Sequence, residues 1–526
     1  MRGVQDKKKS SFQGTNRLIA WQRSGGVISS GGVIRSRGAS PIAIGNDPMV
    51  TRWGVQVMTF QRTHLIVALL VLGLAGGLAV SAAEPMATKP NIVLILADDL
   101  GGTDLGCYGA DLIESPHLDQ LAKEGVRFTR AYSPSPVCTP TRASIMTGKH
   151  PARLQMTIWS EGSLKGPADR KLLQAKSGHD LPHTETTLAK HLQQAGYFTA
   201  LVGKWHLGDA GHFPETHGFD INIGGNHWGA PFSFFWPYRG AGKYGGEFRY
   251  VPHLEYGKPG EYLTDRLTDE ALKVLDHVAA TSQPFFLYLA HHAPHTPIEA
   301  KEADIKYFEA KLRPDLKHQN AAYAAMVKSM DDGIGRVLDH LKTLKLDQNT
   351  IVIFASDNGG YIRLNEAQNA PITNNSPLRS GKGSLYEGGV RVPLIVKWPQ
   401  VTPAGVECGE PVVLTDLFRT LLSAAGISAP ADLPLDGLDL LPVLKKSDSK
   451  LDRDTLFFHF PHYYHAPPTT PGSSIVVGPW KLIEYYEDGR VELYNLDDDP
   501  SEERDQAGNI PDKTAQLREQ LRTKLM

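Results

Sequence analysis

From Pro90 onward, apolar runs of strand length alternate with stretches of helical period. That alternation predicts an α/β body on a large, mostly parallel sheet sandwiched by helices. Asn91 to Ala97 is continuously apolar after its first residue, as a strand covered on both faces must be. A helix is expected from Thr187 to Ala195, stopped by Gly196, and a strand from Phe198 to Val202. Phe285–Ala290 and Thr350–Ser356 read as further strands, the second preceded by a helical stretch over 320–345. Val390 to Trp398 also has strand character, but Pro393 cannot donate to a ladder and so places it at a sheet edge. Leu414 to Ala425 predicts a helix. Beyond Pro430 the runs shorten: Ser474–Val477, Trp480–Tyr486 and Val491–Leu496 are separated by Gly478-Pro479 and Asp488-Gly489. They predict a small antiparallel sheet, followed by a helix over 512–526. The change of character divides the chain into an α/β body over 90–435 and a C-terminal subdomain over 436–526.

The 526 residues suffice for a large core and more than one subdomain. A net charge of -2 conceals an uneven distribution. From Glu84 onward 55 acidic residues face 45 basic ones, a balance of -10. An acidic body excludes nucleic acid as a partner, since that is held mainly through its phosphates. Any anion site must be a local pocket. Upstream, Arg62 precedes an apolar run from Leu65 to Val80 and then Ser81-Ala82-Ala83. This is the order of a secretory signal, expected over 58–83 with cleavage near Ala83. The competing reading is a membrane anchor. Sixteen residues with three glycines fall short of the roughly 20 a span requires, so no stable anchor is expected. The protein is therefore expected in the periplasm or outside the cell. Residues 1–57 are rich in Ser, Gly and Arg without period, and are expected to lie upstream of a true start at Met58. Cys107, Cys138 and Cys408 are too few for a disulfide scaffold, although a 107–408 bridge stays open.

Ligands of open α/β sheets bind beyond the carboxyl ends of the strands. Four predicted strands end in reactive groups: Asp98-Asp99, Gly203-Lys204-Trp205-His206, His291-His292-Ala293-Pro294-His295, and Asp357-Asn358. Three carboxylates and an amide oxygen form a hard-oxygen set suited to calcium or magnesium, with calcium preferred for its looser geometry. Cys138 precedes Thr139 and Pro140, a fitting N-cap and first helical residue, and Gly148 fits the C′ position. Cys138 is thus expected just before a helix N-terminus, where anions are favoured, with Arg142 one turn in.

Cys138-Thr-Pro-Thr-Arg142 with its Thr147-Gly148 end resembles the signature of the type I sulfatases, the arylsulfatase family of the alkaline phosphatase superfamily. Gly203-Lys-Trp-His-Leu-Gly208, Ala293-Pro-His-Thr-Pro297, Ser356-Asp-Asn-Gly359 and Gly381 to Pro393 are similar to that family's other motifs, as are Trp480-Lys-Leu and Leu493-Tyr-Asn-Leu. The resemblance implies an alkaline phosphatase-like fold and a sulfuric ester hydrolase. It implies that a formylglycine-generating enzyme converts Cys138 to Cα-formylglycine. It further implies a Ca2+ ion held by Asp98, Asp99, Asp357, Asn358 and the modified residue 138. Arg142 would then stabilise the hydrated aldehyde, Lys204 and Lys382 would bind sulfate, and His206 and His295 would move protons.

The chemistry is coherent. A thiolate would form a stable sulfur–sulfur adduct, whereas one hydroxyl of an aldehyde hydrate can attack sulfur and the other can then expel sulfate. His206 would take the second proton, and His295 with Lys382 would protonate the leaving oxygen. The substrate is expected to be a sulfated glycan or an aryl sulfate. The aromatic stretch 227–250 suits either sugar stacking or a self-packed loop, and His227 is expected to face the sulfate. His291 and His292 read as structural. His459, His462 and His465 suit a polar rim better than a second metal site. A two-metal phosphatase is disfavoured by the single oxygen cage. A non-catalytic glycan-binding relative is disfavoured by the intact set of lysines and histidines.

Overall fold

A computed structural model describes residues 89–525 except 164–165, 244–245, 367–368, 430–432 and 466–467. The expected signal at 58–83 and the extension 1–57 lie outside the described residues. Among those described, no helix is long and apolar enough to cross a membrane.

Eight strands form the central sheet: β1 (Asn91–Ala97), β2 (Val126–Phe128), β3 (Phe198–Gly203), β4 (Ile221–Ile223), β5 (Phe285–Ala290), β6 (Thr350–Ser356), β7 (Leu394–Lys397) and β8 (Val406–Cys408). Their order is β8-β2-β7-β6-β1-β5-β3-β4, and every neighbour pair is parallel except the two made by β7. The edge position expected from Pro393 is therefore wrong. The proline precedes Leu394, the first strand residue, so it removes no ladder bond and β7 can sit between β2 and β6.

The first helix, α1 (Pro116–Glu124), leads into β2. The continuous apolar character of β1 has the predicted cause. Ile92, Leu94 and Leu96 face α2 (Cys138–Thr147), α3 (Leu188–Gln194) and α6 (Asp416–Ala424). Val93 and Ile95 face the other way, into a core shared with α4 (Leu263–Thr281) and α5 (Ala321–Thr343). Burial on both faces at the conventional coefficient of about 25 cal/mol per Å² makes this the dominant stabilising term.

Register sets the site. Ala97 pairs with Ser356, Leu96 with Ala290, and Gly203 with Ala290, so β1, β3, β5 and β6 end at one level. Gly203 is needed there: its φ is +108°, and a Cβ would stand 1.9 Å from the Ala290 carbonyl oxygen.

The C-terminal sheet has four antiparallel strands, β9 (Leu456–Phe460), β10 (Gly472–Val477), β11 (Trp480–Tyr485) and β12 (Val491–Asn495). Three follow the sequence pattern; β9 was not expected. One face packs on Leu517 and Leu521 of α7 (Pro511–Leu525). The other meets Tyr132, Val137 and Leu385 of the larger body. A buried ion triad reinforces that junction: Lys481 Nζ lies 2.9 Å from both Glu387 and Glu502 carboxylate oxygens. The three cysteines are free thiols.

Two of the three C-terminal histidines depart from the rim reading. His459 bonds Ser473 Oγ at 2.7 Å, and His462 is fully buried. Gln174 Nε2 lies 3.1 Å from His462 Nδ1 and Thr157 Oγ1 lies 2.7 Å from Nε2. The amide donates to Nδ1, so Nε2 carries the only proton. Burial, assisted by His459 and His179, pushes His462 down to about 3. The unfolded residue protonates near 6.5 and the folded one does not, so stability is complete above 6.5 and is lost as pH falls toward 3. The slope for this group approaches about 1.4 kcal/mol per pH unit. Thermal melts of His462→Gln between pH 7 and 4 are expected to show a shallower acid decline than the unaltered protein. Parallel declines would refute this role.

Candidate active site

Asp98 and Asp99 leave β1, Lys204 and His206 leave β3, His295 follows β5, and Asp357 and Asn358 leave β6. The helix α2 arrives from the side and starts two residues earlier than its sequence suggested. Val137 is the N-cap, without a side-chain hydrogen bond, and Cys138 is the first helical residue. Thr139 does not cap the helix; its hydroxyl donates instead to the His206 carbonyl at 3.0 Å. Pro140 falls within the first turn, where a missing N–H costs nothing. Gly148 ends the helix with φ +69°, as expected.

These residues converge. A ligand atom from each of Asp98, Cys138 and Asp357 lies within 4.8 Å of the other two, and the same holds for Asp98, Asp99 and His295. Arg142 is fully buried; its Nε donates to Asp357 Oδ2 at 2.8 Å and its Nη1 to the Lys204 carbonyl at 3.1 Å. Lys204 Nζ lies 2.6 Å from Asp98 Oδ2. Lys382 Nζ lies 2.6 Å from Asp99 Oδ1, and Asn358 Nδ2 donates to that same oxygen at 2.8 Å. Three carboxylates thus face three permanent cations.

Burial pushes Asp98 up to about 8, aided by Asp357 and Asp99 and opposed by Lys204 and Arg142. Burial would raise Asp99 too, but Lys382, His295 and Lys204 hold it down at about 2. Asp98 Oδ1 and Asn358 Oδ1 are buried without any hydrogen-bond donor. Buried oxygens are ordinarily satisfied, so two such orphans among carboxylates fit an oxygen-liganded cation. Burial raises the Cys138 thiol above its ordinary value, against the pull of Lys204 and Lys382. The unmodified side chain is therefore a neutral thiol at neutral pH.

His206 is 5% exposed with φ +61°, and neither ring nitrogen has a partner. Gly229 lies against its ring, where a Cβ would come within 2.3 Å of Cε1. Burial, with Lys204 and Arg142 nearby, lowers its basicity well below the usual imidazole range. His295 Nδ1 is 2.8 Å from the Thr296 carbonyl, which turns Nε2 toward Asp99 Oδ2 at 3.4 Å. Burial depresses it to about 3.

Asp99, Cys138, His206, His295 and Lys382 open into a cleft of about 890 Å³. The ring of His227 packs on Trp228 at 4.1 Å, and the residue is not among those lining this cleft. His291 and His292 are buried behind it. The insertion 227–250 packs partly on the body and partly on itself: Phe234 and Tyr238 are in the main core, Phe235 tilts onto Tyr262, and the Arg249 guanidinium lies over the Trp228 ring. Tyr244 lies outside the described residues. The loop's polar members Glu247 and Arg249 do reach the cleft. Arg363, Glu366, Trp159, Tyr361, Tyr464 and His465 complete its walls, and only His465 among these was singled out in the sequence. The others carry no local signature, because distant segments bring them together.

Residues 90–427 match the family described as Sulfatase, and residues 381–526 match the one described as N-sulphoglucosamine sulphohydrolase, C-terminal. The chain is 36% identical over 392 residues to N-acetylgalactosamine-6-sulfatase of Canis lupus familiaris, covering 72% of this chain and 69% of that protein. It is 34% identical over 476 residues to a sulfatase of Formosa agariphila, covering 79% and 84%. Among solved structures, Ps i-CgsB in complex with k-i-k-neocarrahexaose superposes with a TM-score of 0.68 at 31% identity, over 83% of this chain and 92% of that one.

Proposed function

Because the chain belongs to the sulfatase family and is a sulfatase enzyme, we propose that it releases sulfate from a sulfated carbohydrate, using residue 138 as formylglycine and a bound calcium ion. The observation that carries this reading is the packing of Cys138 within 4.8 Å of Asp98 and Asp357, at the floor of a cleft edged by Lys382, His206 and His295.

Asp98, Asp99, Asp357 and Asn358 would hold calcium, which when bound supplies positive charge to sulfuryl oxygens and makes a neighbouring hydroxyl more acidic. Formylglycine supplies a hydrated aldehyde, two hydroxyls on one carbon. The chain's own residues do the rest. Lys204 and Lys382 sit on the carboxylates of Asp98 and Asp99; a cation on those carboxylates frees both ammonium groups for an anionic ester. Arg142 stays committed to Asp357 and to the backbone of Lys204, which fixes both. His206, neutral and with open ring nitrogens, suits proton acceptance. Lys382 is held well above its ordinary value by Asp99, despite burial, and so retains a proton to share with His295 at the leaving oxygen. Cys138 is 2% exposed, so the modifying enzyme would have to reach it before the fold closes.

The cleft favours a sugar over a small aryl group. Arginines, glutamates and aromatic rings together fit hydroxylated, anionic rings. The k-i-k-neocarrahexaose named in the complex of Ps i-CgsB supports the same class. Export with cleavage near Ala83 belongs to the proposal, so the enzyme for testing is protein recovered outside the host cytoplasm, beginning near Glu84. Inorganic sulfate release should show kcat/KM for sulfated galactan oligosaccharides roughly a hundredfold above that for a nitrophenyl sulfate. Arg363→Ala should erase most of that preference. Equal rates on both substrates would reject the carbohydrate assignment.

A further inference from the structure

Behind the loop that carries Lys204 and His206, three imidazoles meet: His183, His212 and His217. One ring nitrogen from each lies within 4.8 Å of the other two. The rings of His183 and His212 stack at 4.5 Å, and those of His183 and His217 at 4.8 Å. Nothing in sulfate ester hydrolysis requires this cluster.

The tautomers are fixed from outside. His183 Nε2 is 3.0 Å from the Gly211 carbonyl, and His212 Nδ1 is 2.8 Å from the Leu181 carbonyl. A ring nitrogen facing a carbonyl must carry hydrogen, so His183 Nδ1 and His212 Nε2 present lone pairs. Metal-binding histidines characteristically use their second nitrogen in this way. The third member adds an independent observation. His217 is 3% exposed, and its Nε2 is buried without any hydrogen-bond partner.

We propose that His183, His212 and His217 form a second metal site, for a divalent transition metal of the zinc class. Imidazole alone favours such ions over calcium, and no carboxylate is needed to complete the set. Tetrahedral coordination at Zn–N distances near 2.1 Å requires nitrogens about 3.4 Å apart, so the cluster must tighten. His183 is exposed and leaves the fourth position open to solvent. The ion would pin the segment 205–217: Trp205 Nε1 donates to the His212 carbonyl at 2.8 Å, and its ring lies 5.8 Å from that of His217.

Cobalt reports such a site by visible absorption. The full exported protein, kept saturated with calcium so that the acidic cage is filled, is titrated with Co2+. One equivalent is expected to bind in the micromolar range with the intense visible bands of tetrahedral coordination. Zn2+ should displace it and raise the melting temperature. His183→Ala, a surface substitution, should weaken binding at least about a hundredfold while sulfate release in calcium stays unchanged. His217→Gln should do the same if it folds. Absent bands, or bands that persist in His183→Ala, would overturn the site.

Discussion

Cys138→Ala is expected to abolish sulfate release, with kcat falling at least about 10⁴-fold, the scale of losing an enzyme's nucleophile. Alanine keeps the helix start and removes only the sulfur from a site already 2% exposed. The stability cost should be on the order of 1 kcal/mol. The oxygen cage of Asp98, Asp99, Asp357 and Asn358 stays intact, so calcium should still raise the variant's melting temperature. That pair of readouts separates chemistry from folding. Turnover retained in the variant would refute the nucleophile assignment; loss of the calcium response would show that the ion depends on residue 138 as a ligand.

Chelating calcium is expected to have the second largest effect, a fall in turnover of about 10³-fold or more, since it removes the principal charge facing the sulfuryl oxygens. Without that charge, Lys204 and Lys382 stay on Asp98 and Asp99, at 2.6 Å each, and are unavailable to substrate. Stability should fall as well: an ion present at a hundred times its dissociation constant contributes about 2.7 kcal/mol. Asp357→Asn should reproduce the activity loss in saturating calcium. It removes one ligand charge and also releases Arg142, which holds Asp357 Oδ2 through Nε at 2.8 Å. Magnesium should restore activity poorly, because it demands a smaller octahedral shell. Full activity after exhaustive chelation would remove the metal from the reaction.

Most of this site was legible because strands announce their own ends. Continuous apolar runs located β1, β3, β5 and β6, and the reactive residues follow each run directly. The parallel register then brings Asp98 beside Asp357 without further information. Helix and sheet boundaries were less legible where one residue serves two purposes. Thr139 has the side chain of an N-cap but spends it on the His206 carbonyl. Pro393 signals an edge strand in isolation, yet it stands just outside β7. The cleft walls were illegible: Trp159, Arg249, Arg363 and Tyr464 belong to four distant segments, and only the fold assembles them. The histidine cluster at 183, 212 and 217 has no regular spacing, and became visible only once loops around β3 were closed on one another.

Mass spectrometry of the tryptic peptide Ala131–Arg142, taken from fully active, host-produced enzyme, tests the chemistry at its root. The expected result is an aldehyde at position 138, in proportion to specific activity and captured by a hydrazide reagent. A free thiol throughout fully active protein contradicts it.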